Sequence, residues 1–231
     1  MTLEERRKEL NPRQKALRQA LTGEADPNLA IERFLTLHGI LHASQVAPKS
    51  PWSYEDILLD GLEEAQYRVI LDGEAHSLAW ILWHLSRVED VTMNLLVAGR
   101  DQVFEVGGWL EKTNSPIRHT GNGTGEVVTQ ALSTALDISA LRAYRYAVGR
   151  ATREIIPTLT KDDFSRKVDP QNMQRVIDEG AVIEAGYGVV DYWGRRDVAG
   201  LLLMPPTRHT IVHWNEAYRL IQRLDGLNLG Y

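Results

Sequence analysis

With 231 residues, 43% of them hydrophobic, the chain is long enough to bury a full core, and nothing in its composition demands a second domain. A net charge of -5 speaks against a nucleic-acid partner, which would need a net basic face, and the short basic runs Arg6-Arg7-Lys8 and Arg195-Arg196 do not reverse that balance. No apolar run approaches the ~18 residues that span a bilayer, and the start MTLEERRKEL is charged where a signal peptide needs an apolar stretch, so a cytoplasmic protein with no membrane partner is expected.

In chain order, Leu3, Leu10, Leu17 and Leu21 make a narrow apolar stripe at helical spacing, interrupted at Asn11-Pro12. Residues 1–27 therefore read as an N-terminal helical arm, packed on its own domain or on a second subunit. Residues 28–231 read as one helical domain. Its first long helix is expected from about Asn28 to about Ser44, with Ile31, Phe34, Leu35, Leu37, Ile40 and Leu41 on a broad apolar face. That helix carries His38 and His42 at four-residue spacing, read as core-edge or supporting residues with metal binding as the alternative. Gly39 between them costs a helix roughly 1 kcal/mol relative to alanine, a mark of a close neighbour.

After the proline-containing linker Ala47–Trp52, Ser53 and Asp56 predict a helix start for YEDILLDGLEEAQY. The most apolar helix is expected from about Ser77 to Ala98. Leu78, Ile81, Leu82, Leu85, Val88, Leu95 and Leu96 recur at intervals of three and four, and Trp80 and Trp83 add bulk. His84 falls on the flank of that apolar face and should point between helices, whereas His76, roughly 12 Å earlier along the axis, should not share an ion with it. Gly99 to Glu126 reads as a loop, and one this long tends to be a lid or pocket wall. Its run Gly121-Asn122-Gly123-Thr124-Gly125 lacks the strand and the Lys-Ser/Thr of a phosphate-binding turn. Arg118 and His119 read as solvent-exposed, with substrate contact the alternative. Another helix runs best from Asp137 to the break at Pro157, followed by a polar turn at Lys161–Asp163 and a connection with short helix. The last helical region begins near Val190, and Pro205-Pro206 kinks or restarts it. Without a convincing strand, four principal helices with long crossovers make an all-α bundle.

The stretch PPTRHTIVHWNEAYRLIQRL holds a second histidine pair, His209 and His213, one helical turn apart on one face. Ala217, Leu220 and Leu224 continue that face, so it should look into a core, where imidazoles need partners. We expect His84 to join the pair around a divalent metal ion, with satisfied core histidines as the alternative. Three protein ligands would leave coordination positions open for water or substrate, as in a catalytic site. The chain has no cysteine, so any thiol chemistry needs an external thiol. Thr210 stands where a zincin motif has Glu, which leaves Glu89 and Glu216 as carboxylates that orient a ligand. Trp80, Trp83, Trp214 and Arg208 flank the histidines in sequence and are the candidate pocket residues. Surface charge for Glu89 and core packing for the tryptophans are the plainer alternatives.

The run HSLAWILWHLSRVED with the distant PPTRHTIVHWNEAYRL resembles the DinB-like superfamily, which includes damage-inducible DinB proteins and thiol-dependent S-transferases, over roughly residues 28–225. The resemblance implies a DinB-like four-helix bundle, usually a homodimer. It also implies a zinc or nickel ion held by one histidine of the second bundle helix and two of the last. The matching positions are His84, His209 and His213, and not His38 or His42. An enzyme that activates a low-molecular-weight thiol or water for transfer to an electrophilic small molecule follows by resemblance. A non-enzymatic, stress-associated dimer that holds a metal or ligand is the alternative. The chain departs from the family after His213, where many members carry Arg-Gly-Gln and this sequence has Trp214-Asn215-Glu216. The 27-residue arm has no counterpart in the resemblance.

Overall fold

A computed structural model describes residues 2–23 and 26–226. Among the described residues there is no strand, only an isolated bridge between Lys167 and Asp197. The arm forms two helices, α1 (Leu3–Lys8) and α2 (Leu10–Thr22). Four longer elements follow: α3 (Pro27–Leu41), α4 (Leu78–Asp90), α5 (Ile138–Ile155) and α6 (Thr210–Gly226). Helix α4 runs on through a π-helical stretch, Val91–Val97, and α6 is preceded by another, Met204–His209. The all-α bundle expected from the sequence is what the chain forms.

The helix starts follow from local chemistry. Asp26, Ser77 and Asp137 each accept a hydrogen bond from a first-turn backbone N–H, of Asn28, Trp80 and Ala140, which satisfies donors that a helix leaves unpaired. Ser53 caps its helix through Asp56, as its sequence predicts. The expected single helix YEDILLDGLEEAQY is instead two, Tyr54–Leu59 and Glu64–Arg68, because Gly61 between them takes φ +85°. The expected loop after Gly99 contains two short helices, Val103–Val106 and Trp109–Lys112. The polar turn at Lys161 is the start of a helix, Lys161–Ser165, closed by a capping box between Thr160 and Asp163.

Every residue of α4 is buried. A helix enclosed on all sides must pair its polar groups internally. Arg87 does so with Gln102, Tyr144 and Asp90, and Asp90 accepts from the Val103 and Phe104 backbone and the Tyr144 hydroxyl. The surface charge suggested for Glu89 is thus an interior group, and its neighbour Asp90 ties the following loop to the bundle.

The arm packs on its own domain: Leu10, Leu17, Ala20 and Leu21 belong to the same core as α3 to α6. It also repairs a break. Pro205 and Pro206 lack N–H groups, so carbonyls one turn upstream lose their helical donors. The Thr207 hydroxyl donates to the Leu202 carbonyl at 2.8 Å, and the arm's Gln14 amide donates to the Leu203 carbonyl at 2.8 Å and reaches the Thr207 oxygen at 3.3 Å. The repaired turn ends on His209. Replacing Gln14 with leucine keeps the volume but removes the arm's hydrogen bond to the half-buried Leu203 carbonyl. Urea unfolding should show a loss of about 0.5–1.5 kcal/mol, and an unchanged midpoint would remove Gln14 from this role.

Candidate metal centre

Helix α4 and the π-helical turn into α6 bring His84, His209 and His213 together, each offering a ring nitrogen within 4.8 Å of the other two. Ring centroids are 4.9 Å apart for His84 and His209, 5.0 Å for His84 and His213, and 4.6 Å for His209 and His213. The Nε2 atoms of His84 and His209 are separated by 3.0 Å.

The outer nitrogens settle the tautomers. His84 Nδ1 donates to the Thr120 carbonyl at 2.6 Å, and His213 Nδ1 donates to the Glu216 carboxylate at 2.7 Å. With the protons held there, both Nε2 atoms carry bare lone pairs. His209 Nδ1 is buried without a partner. Three converging neutral imidazoles cannot satisfy one another, since a single shared proton serves only two of them. One divalent ion would use all three lone pairs, so the donor set fits a metal.

The electrostatics agree. Burial, with His213 beside it, pushes the His84 imidazole down to about 3, and burial together with His84 and His213 lowers His209 well below its ordinary value. Burial pushes the Glu216 carboxyl up, but hydrogen bonds from His213 and His76 outweigh it and hold the group at about 2. The ionised carboxylate accepts from His213 and so holds that ring in place. His76 is the partner that sequence spacing did not reveal. Its Nδ1 lies 2.8 Å from Glu216, and its ring stacks on Trp80 at 3.6 Å, which stacks in turn on His84 at 4.6 Å. Gly121, at φ +88°, packs against Trp80 where a Cβ would lie 3.3 Å from the indole. A glycine there lets the loop bring the Thr120 carbonyl onto His84.

The other pair takes part in a different construction. His38, on α3, and His42, at its C-cap, each place Nε2 2.9 Å from one oxygen of Glu89. Thr152 donates to the same carboxylate at 2.8 Å, and Arg145 lies 3.4 Å from it and 3.1 Å from Glu55. Glu89 is thus not beside His84, His209 and His213. By distance alone His38, His42 and Glu89 could also hold an ion. Proton placement separates the two clusters. Here Nε2–H points inward to the carboxylate, and both Nδ1 atoms are buried without partners. Binding an ion at Nε2 would move two protons to nitrogens with no acceptor and set a cation beside the Arg145 guanidinium. His42 Nδ1 also abuts Gly149, where a Cβ would come within 2.6 Å. Burial opposes ionisation of Glu89, but the His42 and His38 donors outweigh it and hold its carboxyl well below the usual range.

The remaining sequence candidates are placed as follows. Trp83 donates to the His119 carbonyl and packs on Phe104 and Tyr144, and Trp214 donates to the Leu41 carbonyl; both are core residues. Arg208 reaches Asn11 on the arm. Arg118 pairs with Glu105 at the surface, whereas His119, expected to be exposed, is buried and accepts from the Gly121 N–H. A cleft beside His209, walled partly by Tyr192 and Trp193, had no local signal in the sequence apart from Val88, one turn past His84.

Burial lowers His38 and His42 below their ordinary values, so both stay neutral in the folded core, while in the unfolded chain they take up protons near pH 6.5. Their contribution to stability is complete above that pH and is lost as the pH falls through it, by up to ~1.4 kcal/mol per pH unit for each histidine. Urea midpoints measured between pH 7.5 and 5.5, roughly one unit either side of that value, should therefore decline. His84 and His209, lowered in the same direction, add to the decline, so a flat profile would mean that the buried histidines already carry protons in the fold.

No curated protein matches the chain. A family described as the DinB superfamily matches residues 52–186, a span that includes His84 and Glu89 and ends before His209 and His213. That span covers more than half of the sequence and contains the enclosed helix from which both histidine clusters are built, and the chain belongs to the DinB superfamily.

Proposed function

We propose that this protein is a metal-dependent enzyme in which His84, His209 and His213 hold one divalent ion, zinc or nickel, and a low-molecular-weight thiol or water is activated there for transfer to an electrophilic small molecule. The observation that carries this reading is the convergence of three imidazoles with the outer nitrogens of His84 and His213 anchored by Thr120 and Glu216. An ion so held supplies Lewis acidity, lowering the pKa of a thiol or water enough for it to react near neutral pH. The protein's own groups set the geometry. Thr120 and Glu216 fix two rings, the Trp80 indole shields His84 from water, and the arm steadies the turn that presents His209. Since the chain has no cysteine, a thiol nucleophile would come from outside it. By family likeness the protein works as a cytoplasmic homodimer, with residues 1–27 an arm on a single domain of residues 28–231.

Protein purified without a histidine tag should carry about one zinc or nickel ion per chain. His84→Ala and His213→Ala should lose it. Thr152→Val, which weakens only the Glu89 cluster, should keep it. Glu216→Gln should bind the metal roughly 10- to 100-fold more weakly. Folded wild-type protein that takes up no metal would sink the site. Stoichiometric metal without saturable turnover across a panel of thiols and electrophiles would instead leave a binding protein.

A further inference from the structure

The cleft beside His209 is walled by Val88, Val189, Met204, Pro205 and the rings of Tyr192 and Trp193, with Asn122 as the remaining side chain beside the histidine. We infer that it binds a neutral, apolar molecule about the size of one aromatic ring, and that this molecule is the electrophile of the reaction. The second half rests on the metal-centre reading above; the first does not.

Four observations support the assignment. The cleft measures about 200 Å³, and for scale a dry cavity of ~150 Å³ accepts benzene. No charged side chain lines it, so an ion entering would lose its water without gaining a counter-charge. Asn122 Oδ1 already accepts the Thr120 hydroxyl at 2.7 Å, which leaves its amide N–H groups to greet one acceptor, such as a carbonyl oxygen, on an otherwise apolar ligand. The walls are also the supports of the metal centre. Val88 lies one turn past His84 on α4, Met204 and Pro205 open the turn that ends on His209, and Asn122 follows the loop residue whose carbonyl holds His84. A molecule in this cleft therefore touches a ligand histidine.

The larger cleft near the centre does not. At about 480 Å³ it is lined by Asp72, Glu74, Glu126 and Gln130 and ends at His76. It meets the cluster through side chains in between, by the hydrogen bonds of His76 and His213 to Glu216 and by the stack of His76 on Trp80 and Trp80 on His84.

The test uses fluorobenzene and 4-fluorobenzoate as probes, followed by ¹⁹F NMR on the full chain. Fluorobenzene should bind wild type and metal-free His84→Ala alike, and 4-fluorobenzoate at least about tenfold more weakly. Val189→Trp, at the half-buried rim, should weaken fluorobenzene binding about tenfold or more by filling the space, and Val189→Phe is a smaller filler should the tryptophan disturb folding. Equal binding of the two probes, or fillers without effect, would overturn the assignment. In turnover by metal-loaded protein, Val189→Trp should raise KM for an aryl electrophile about tenfold and leave KM for the thiol unchanged. Turnover unaffected by the filler would overturn the electrophile half while sparing the metal-centre function. Fluorobenzene binding with no turnover by metal-loaded protein would leave the cleft in place and overturn both that function and the electrophile half.

Discussion

Helix α4 is enclosed on every side, yet it carries His84, Arg87, Glu89 and Asp90. That constraint organises the rest of the molecule. A buried charge left alone costs several kcal/mol, and breaking a buried pair costs about 3–5 kcal/mol, so each of these groups must be met by a partner from another part of the chain. Arg87 and Asp90 recruit Gln102, Tyr144 and the backbone of the loop after Gly99. Glu89 recruits α3 through His38 and His42 and α5 through Arg145 and Thr152. His84 recruits α6. Polar groups on one central helix thereby specify which helix faces which, a job that the non-directional packing of leucines and valines does poorly.

The two histidine pairs show how little spacing alone says about chemistry. Both stand four residues apart and both meet a side chain of α4. In one the facing group is a carboxylate, which draws the imidazole protons inward and ties up both Nε2 atoms on Glu89. In the other the facing group is a third imidazole, and the protons are drawn outward by Thr120 and Glu216, which bares the inner lone pairs. The difference lies in where the acceptors are. His84 and Glu89 are five residues apart and therefore present to different sides of the same helix.

Around the open cluster the fold sacrifices regular helix. The Pro205-Pro206 break and the π-helical turn reposition His209, the carbonyl freed at Leu202 is answered by the Thr207 hydroxyl, and Gln14 from the N-terminal arm adds a donor at Leu203. The N-terminal arm is thus part of the support of the site. The same loosened backbone opens the apolar cleft at His209, so the irregularity that aims the histidine also gives a ligand access to it.

The sequence by itself determined the helical class, the helix start at Ser53, those near Ser77 and Asp137, the central apolar helix and the motifs by which the chain resembles its family. These rest on periodicity and on side chains acting within a few residues of themselves. It also placed Glu216, three residues past His213, where a helix turn brings the two together. Only the tertiary structure decided that Glu89 serves His38 and His42, that His119 is buried, that His76 shares Glu216 with His213, and that Tyr192 and Trp193 wall the cleft. Each of those depends on which sides of α4 are covered and by what. A local pattern shows that a helix has an apolar face, but a helix buried all round has no outer face, and the direction in which each of its polar groups points to a partner is set by the packing of the whole chain.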